Sequence, residues 1–149
     1  IEMKQGIYWV GVKDWELREF HGYTTDKGST YNAYLIVDDK ITLIDGAKAP
    51  FRDIFLARIA SVVDPAKIDV VICNHVEMDH SGTLPDIMQV AKNATMYCPA
   101  AGERGLKAHY DTTGWNIKTV KTGDTLSIGK HTLSFVLVPM VSWPDSMMA

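Results

Sequence analysis

The run IDVVIC at 68–73 passes without a break into the polar stretch NHVEMDHSG at 74–82. Val70, Val71, Ile72 and Cys73 carry no alternating polar residue, so they read as a buried strand rather than one with a wet face. A buried strand needs partners beside it and cover above it, and the rest of the chain offers both. Short β-rich runs recur at 7–12, 30–37, 41–45, 95–98, 116–120, 125–128 and 132–138, most of them bounded by turn-forming residues. The DDK stretch after Val37 and the GK pair after Ile128 read as hairpin turns, which makes their flanking strands antiparallel neighbours.

Helices supply the cover. In PFRDIFLARIASVVDP, Phe51, Ile54, Phe55, Ile59 and Val62 fall on one face, with Pro50 suited to a first turn and Pro65 to a stop. TLPDIMQVAK at 83–92 and PAAGERGLKAHY at 99–110 are further helical segments, each opening near a proline after a strand. Helices that follow apolar strands, mixed with hairpins, predict a layered α/β fold. Residues 13–29 fit no period and read as a long loop, of the kind that usually has a function, with Trp15, Phe20 and Tyr23 arguing against disorder.

The 149 residues suit about one domain, and no Pro/Gly-rich linker divides them. A net charge of -3 gives no basic excess for nucleic acid, and no stretch is apolar for long enough to span a membrane. No basic, then apolar, leader opens the chain, so a cytoplasmic setting is expected. The two cysteines, Cys73 and Cys98, make neither a disulfide framework nor a CxxC clip and read as buried thiols. The chain opens at Ile1 without an initiator Met and stops after SWPDSMMA, which suggests a piece of something longer.

His75, Glu77, Asp79 and His80 put four donors within six positions, directly after the buried strand. Ends of strands in α/β sheets are common places for sites, and a rigid strand lowers the ordering cost of bringing donors together. Two imidazoles with two carboxylates and no thiolate suit iron, manganese or zinc, and such mixed sets with open positions are typical of non-haem iron.

This segment resembles the H-x-E-x-D-H signature of the flavodiiron proteins, a branch of the metallo-β-lactamase superfamily. DWELREFHGYTT, GSTYNAYLI and WPDSM resemble the same family, so the likeness runs nearly end to end. It implies a metallo-β-lactamase-like αββα sandwich, of which 1–149 would be the N-terminal, incomplete portion, with the family's flavodoxin-like FMN domain absent. It also implies a diiron enzyme reducing O2 to water or NO to N2O, fed through FMN by a rubredoxin-like donor and working as a homodimer. By resemblance His75 and Glu77 would bind one iron and Asp79 the other, with His80 a further ligand that varies in the family. His21, in FHGY, would line the pocket as a catalytic hydrogen-bond donor. Hydrolytic relatives carry His where this chain has Glu77; a carboxylate there hardens the site and favours ferric iron over zinc.

Two departures bear on that reading. The chain has SWPDSM where the family has HWPDSM, so Ser142, a weak ligand, stands in the place of an iron-binding histidine. The family's bridging Asp and last His would lie beyond Ala149. A zinc hydrolase and a degenerate, non-catalytic domain are therefore the alternatives. For the remaining candidates structural roles are expected: His109 closing a helix, His131 solvated in a turn, the four tryptophans packing, Met140, Met147 and Met148 apolar, and Lys118, Lys121 and Lys130 on a solvated face. Asp45 would either cap a turn or support the metal site from behind.

Overall fold

A computed structural model of the chain describes residues 1–20, 22–141 and 143–149, with Phe20 by its backbone alone. Along the chain run β1 (Glu2–Lys4), β2 (Ile7–Trp9), β3 (Val12–Asp14), β4 (Glu19–Phe20), β5 (Tyr23–Thr24), β6 (Ser29–Tyr31), β7 (Tyr34–Ile36) and β8 (Thr42–Ile44). Helix α1 (Arg52–Ala60) leads to β9 (Val70–Ile72), followed by α2 (Met78–Ser81), α3 (Leu84–Val90), β10 (Thr95–Cys98), α4 (Ala100–His109) and β11 (Asn116–Thr119). The last strands are β12 (Thr125–Ser127), β13 (Thr132–Ser134), β14 (Val136–Leu137) and β15 (Met147–Met148).

Seven strands form one sheet in the order β1-β2-β7-β8-β9-β10-β11. Pairing is antiparallel from β1 through β8 and parallel from β8 through β11. The switch has a cause in the connections. A short turn joins β7 to β8 and can only reverse the chain, whereas α1 lies between β8 and β9, and α4 between β10 and β11, returning the chain in the same direction.

Residues 70–73 are apolar throughout because β9 is central and covered on both faces. Val71 and Cys73 enter the core on the helix side with Leu43, Met96, Phe55, Ile59, Leu84, Ile87 and Leu106. Val70 and Ile72 point the other way, into a second core with Ile36, Ile128, Leu133, Phe135 and Met147. That is the two-residue period of a strand read from the middle of a sandwich. Full burial of a side chain such as Phe55 or Phe135 contributes about 1.5–3 kcal/mol. The helical core residues all belong to the first cluster, while β12–β13 and β14–β15 close the second. Helices, sheet and hairpins thus make the α/β layering expected from sequence.

Several expectations need correction. Residues 13–29 are a nested pair of hairpins, with β3 paired to β6 and β4 to β5 inside them. The strands there are two or three residues long, too short to leave a legible period. The runs at 7–12 and 30–37 each split in two because the chain changes partners: β2 pairs with β7, then β3 with β6. Ile54 is 48% exposed, so the buried stripe of α1 is narrower than its sequence suggests. Trp15 and Trp143 are exposed rather than packed in the core, Trp15 with the Lys13 ammonium 5.5 Å from its ring centroid. His131 is tied down, its Nδ1 2.7 Å from Asp38 Oδ2 and its backbone N–H donating to the same oxygen. Asp38 Oδ1 also accepts from the Asp39 and Lys130 N–H groups, so one carboxylate joins the β7–β8 turn to the β12–β13 turn.

Candidate metal centre

β8 and β9 are parallel neighbours in register, with Ile44 opposite Ile72, so the segments after them leave the same edge of the sheet side by side. The Asp45 N–H donates to the Ile72 carbonyl at the start of this region. Asp45 has a φ of 60°, which a short polar side chain tolerates better than most. Its carboxylate accepts from the Asn74 backbone N–H at 2.8 Å and from Asn74 Nδ2 at 3.0 Å. Burial pushes the Asp45 carboxyl above the usual range, while those two hydrogen bonds and the nearby His80 and His75 hold it back. Its carboxylate thus reaches Asn74, 29 residues on, instead of capping its own turn, and braces the donor loop from behind.

The donors then follow on two local structures. His75 and Glu77 lie on the extended lead-in, and Asp79 and His80 on the single turn of α2. Ser81 Oγ donates to the Val76 carbonyl at 2.6 Å and meets Tyr110 Oη at 2.8 Å, closing that turn on itself and onto the end of α4. The turn is also pinned to 45–47: the Gly46 N–H donates to the His80 carbonyl at 2.9 Å, and the Ala47 N–H to Thr83 Oγ1 at 3.0 Å. Gly46 is required by this approach, since a Cβ there would sit 2.6 Å from Thr83 Oγ1 and 2.9 Å from the His80 oxygen.

The side chains form two nitrogen–oxygen pairs. His75 Nε2 lies 3.0 Å from Glu77 Oε2, and His80 Nε2 lies 3.2 Å from Asp79 Oδ2, with the two imidazole centroids 5.7 Å apart. The first pair is a hydrogen bond as the side chains stand; two donors each about 2.1 Å from one ion and at right angles to it are also ~3 Å apart, so the spacing of each pair is compatible with one edge of a metal site. Asp79 Oδ1 and His75 Nδ1 are buried without a hydrogen-bond partner among the described residues. Orphaned buried polar atoms are uncommon and point to a group not present. The mixed imidazole and carboxylate chemistry fits such a metal. Among the described residues, however, no three His, Cys, Asp or Glu side chains surround a common point, so each pair offers two donors and leaves positions open.

The four sequence-chosen donors therefore stand as two neighbouring pairs and not around one point. His21 and Ser142 lie outside the described residues. Asp145 was missed by sequence reasoning although it sits within WPDSM. It is 6% exposed, accepts from the Val76 N–H at 2.6 Å through Oδ2, and brings that oxygen within 3.4 Å of His75 Nδ1. Trp143, from the same motif, meets the His75 ring edge-on at 5.7 Å. A cleft of about 320 Å³ opens between Tyr31, Met78, His109 and Trp143, with Glu77 and Asp79 in its wall. His109 ends α4, as expected, but it also lines this cleft. No described helix is long and apolar enough to cross a membrane.

Residues 30–148 match the family described as ODP family beta lactamase. The chain belongs to that family. Among curated relatives, the ODP-family chain is 45% identical over 149 residues to a nitric oxide reductase from Moorella thermoacetica, covering 99% of this chain and 37% of that protein. It is 42% identical over 145 residues to a rubredoxin-oxygen oxidoreductase from Megalodesulfovibrio gigas, covering 97% and 36%. A solved flavodiiron protein from Giardia intestinalis matches it with a TM-score of 0.94 at 44% identity, covering 98% of this chain and 36% of that one. The ODP-family chain thus spans little more than a third of the length of these relatives. The flavodiiron resemblance and the metallo-β-lactamase-like α/β class are both borne out.

Proposed function

We propose that this chain is the diiron-binding part, incomplete in itself, of a flavodiiron oxidoreductase that reduces O2 to water, NO to N2O, or both. The observation that carries the proposal is the pairing of His75 with Glu77 and of Asp79 with His80 beside a cleft, each pair one site edge wide. His75 and Glu77 would hold one iron and Asp79 and His80 the other, the carboxylates offsetting cationic charge while positions remain open. Bound there, the two irons would supply the binding positions and part of the electrons for a diatomic substrate. The remaining electrons would come from FMN in a flavodoxin-like domain outside this chain, reduced by a rubredoxin-like donor. A homodimer and a cytoplasmic setting complete the reading.

The chain's own residues would shape and orient the site. Asp45 and the Gly46 approach fix the backbone that presents the donors, and Trp143 and Met78 keep apolar surface along the cleft. His21 would donate a hydrogen bond to the substrate; a His21→Leu enzyme is expected to shift its O2-to-NO activity ratio, and an unchanged ratio would remove that role. Ser142 leaves the first iron one nitrogen donor short of the family pattern. Elemental analysis of anaerobically handled protein tests the whole reading. Iron is expected in excess of zinc, rising further in Ser142→His; zinc alone, or no metal in either form, would overturn it. The relatives' names are those of oxidoreductases, and nothing observed favours the hydrolase alternative.

A further inference from the structure

Of the three residues that open the donor loop, the first and third are anchored by backbone hydrogen bonds, and two of those bonds come from the far end of the chain. Asn74 donates from its backbone N–H to Asp45, and its carbonyl accepts from the Met147 N–H at 2.9 Å. Val76 donates to Asp145 Oδ2 at 2.6 Å. Between these fixed points sits His75, whose backbone can turn little but whose ring could still swing about its own side-chain bonds. Trp143 edge-on at 5.7 Å and the His80 ring at 5.7 Å confine the ring sideways, yet neither gives Nδ1 an acceptor. The nearest described carboxylate oxygen to Nδ1 is Asp145 Oδ2 at 3.4 Å. It stands off the line of a hydrogen bond, which is why Nδ1 is left unpaired, and a small ring rotation would close it.

We infer that Asp145 is the positioning residue for His75, holding the imidazole by Nδ1–H so that Nε2, which is in hydrogen-bond contact with Glu77 Oε2 at 3.0 Å, stays turned to Glu77 and can exchange that contact for a metal. The inference rests on the reading of His75 as a ligand. Its physical basis is that the partner of one ring nitrogen decides which nitrogen carries the proton and where the ring points. Asp145 is suited to this because its carboxylate is itself immobile: it is nearly buried, and one lone pair of Oδ2 is already committed to a backbone N–H of the very loop it orients. Loop and ring would then be set by one oxygen, so the donor's direction is fixed to the backbone that carries it.

Ring 15N–1H correlation spectra of His75 at fixed pH, with Fe2+ affinity by competition, test this in the wild-type chain and in Asp145→Asn. The Asn side chain still accepts from the Val76 N–H but drops the charge facing the ring. In the wild type, Nδ1 is expected to carry a proton. In Asp145→Asn, melting should stay close to wild type, the His75 ring signals should move, and Fe2+ should bind about 10–100-fold more weakly. A bare Nδ1 in the wild type, or unmoved ring signals or unchanged affinity in the variant, would overturn the inference. If Asp145→Asn does not fold, the wild-type spectrum alone decides it. If the wild type fails to bind Fe2+, the diiron reading fails, while the position of the His75 ring proton still reports on Asp145.

Discussion

Glu77 is the residue on which the proposed metal choice turns. It contributes an oxygen 3.0 Å from His75 Nε2 where hydrolytic relatives would contribute a second imidazole. A carboxylate adds a negative charge and a hard donor, both favouring iron over zinc. Glu77→His is therefore expected to move the Fe2+/Zn2+ affinity ratio toward zinc by about tenfold, equivalent to about 1.4 kcal/mol. Competitive metal titration of the two forms checks this, and an unmoved ratio would mean that Glu77 is not a donor. At this scale the two donor pairs were legible because local spacing on one short segment sets His75 beside Glu77 and Asp79 beside His80. Asp145 was not legible, since it reaches Val76 across 69 residues and nothing in either neighbourhood signals the other.

At the scale of elements, the two hairpin turns joined by Asp38 show how a carboxylate can couple parts of the sheet distant in sequence. Hydrogen bonding from the His131 ring, with backbone N–H groups of His131, Asp39 and Lys130 adding to it, holds Asp38 far below the usual carboxylate range. The folded state therefore favours the ionised form. The stability this provides is fully present above the ordinary carboxylate pKa of about 4 and is lost as pH falls below it. Asp38→Asn is expected to flatten the fall in melting temperature between pH 5 and pH 3, and melts of equal slope for the two proteins would refute the assignment. Strands β8 and β9 could be read from sequence because burial on both faces leaves apolar runs. The nested hairpins of 12–31 could not, because a strand of two or three residues has no room for a period and its pairing is set by turns.

For the molecule as a whole, the sheet divides the apolar residues into two cores, and both thiols lie in the one shared with the helices. Burial, with the Asp45 charge adding to it, raises the Cys73 thiol well above its ordinary range. Burial, then Glu103, pushes the Cys98 thiol up to about 12. Thiolate is the reactive form, so neither cysteine should react with an aromatic disulfide reagent in native buffer except through opening of the fold. Both should titrate promptly in denaturant; fast native labelling of either would show that the helix-side core is breached. The α/β class was legible because apolar runs and amphipathic helices alternate through the middle of the chain. The second core was harder to foresee, since β12 to β15 contribute only scattered residues to it.

The donor loop is braced by Asp45 from before it and by Asp145 and Met147 from after it, which gives the site a history as well as a shape. On a ribosome, His75 to His80 would emerge with only one of their two braces in place, and some 65 further residues must be added before the other can close. Until then the proposed donors would form a short segment held by one brace alone. If the proposed site takes up iron, the fidelity of loading would then depend on the timing of synthesis, the choice of ion being best made after the WPDSM segment has docked.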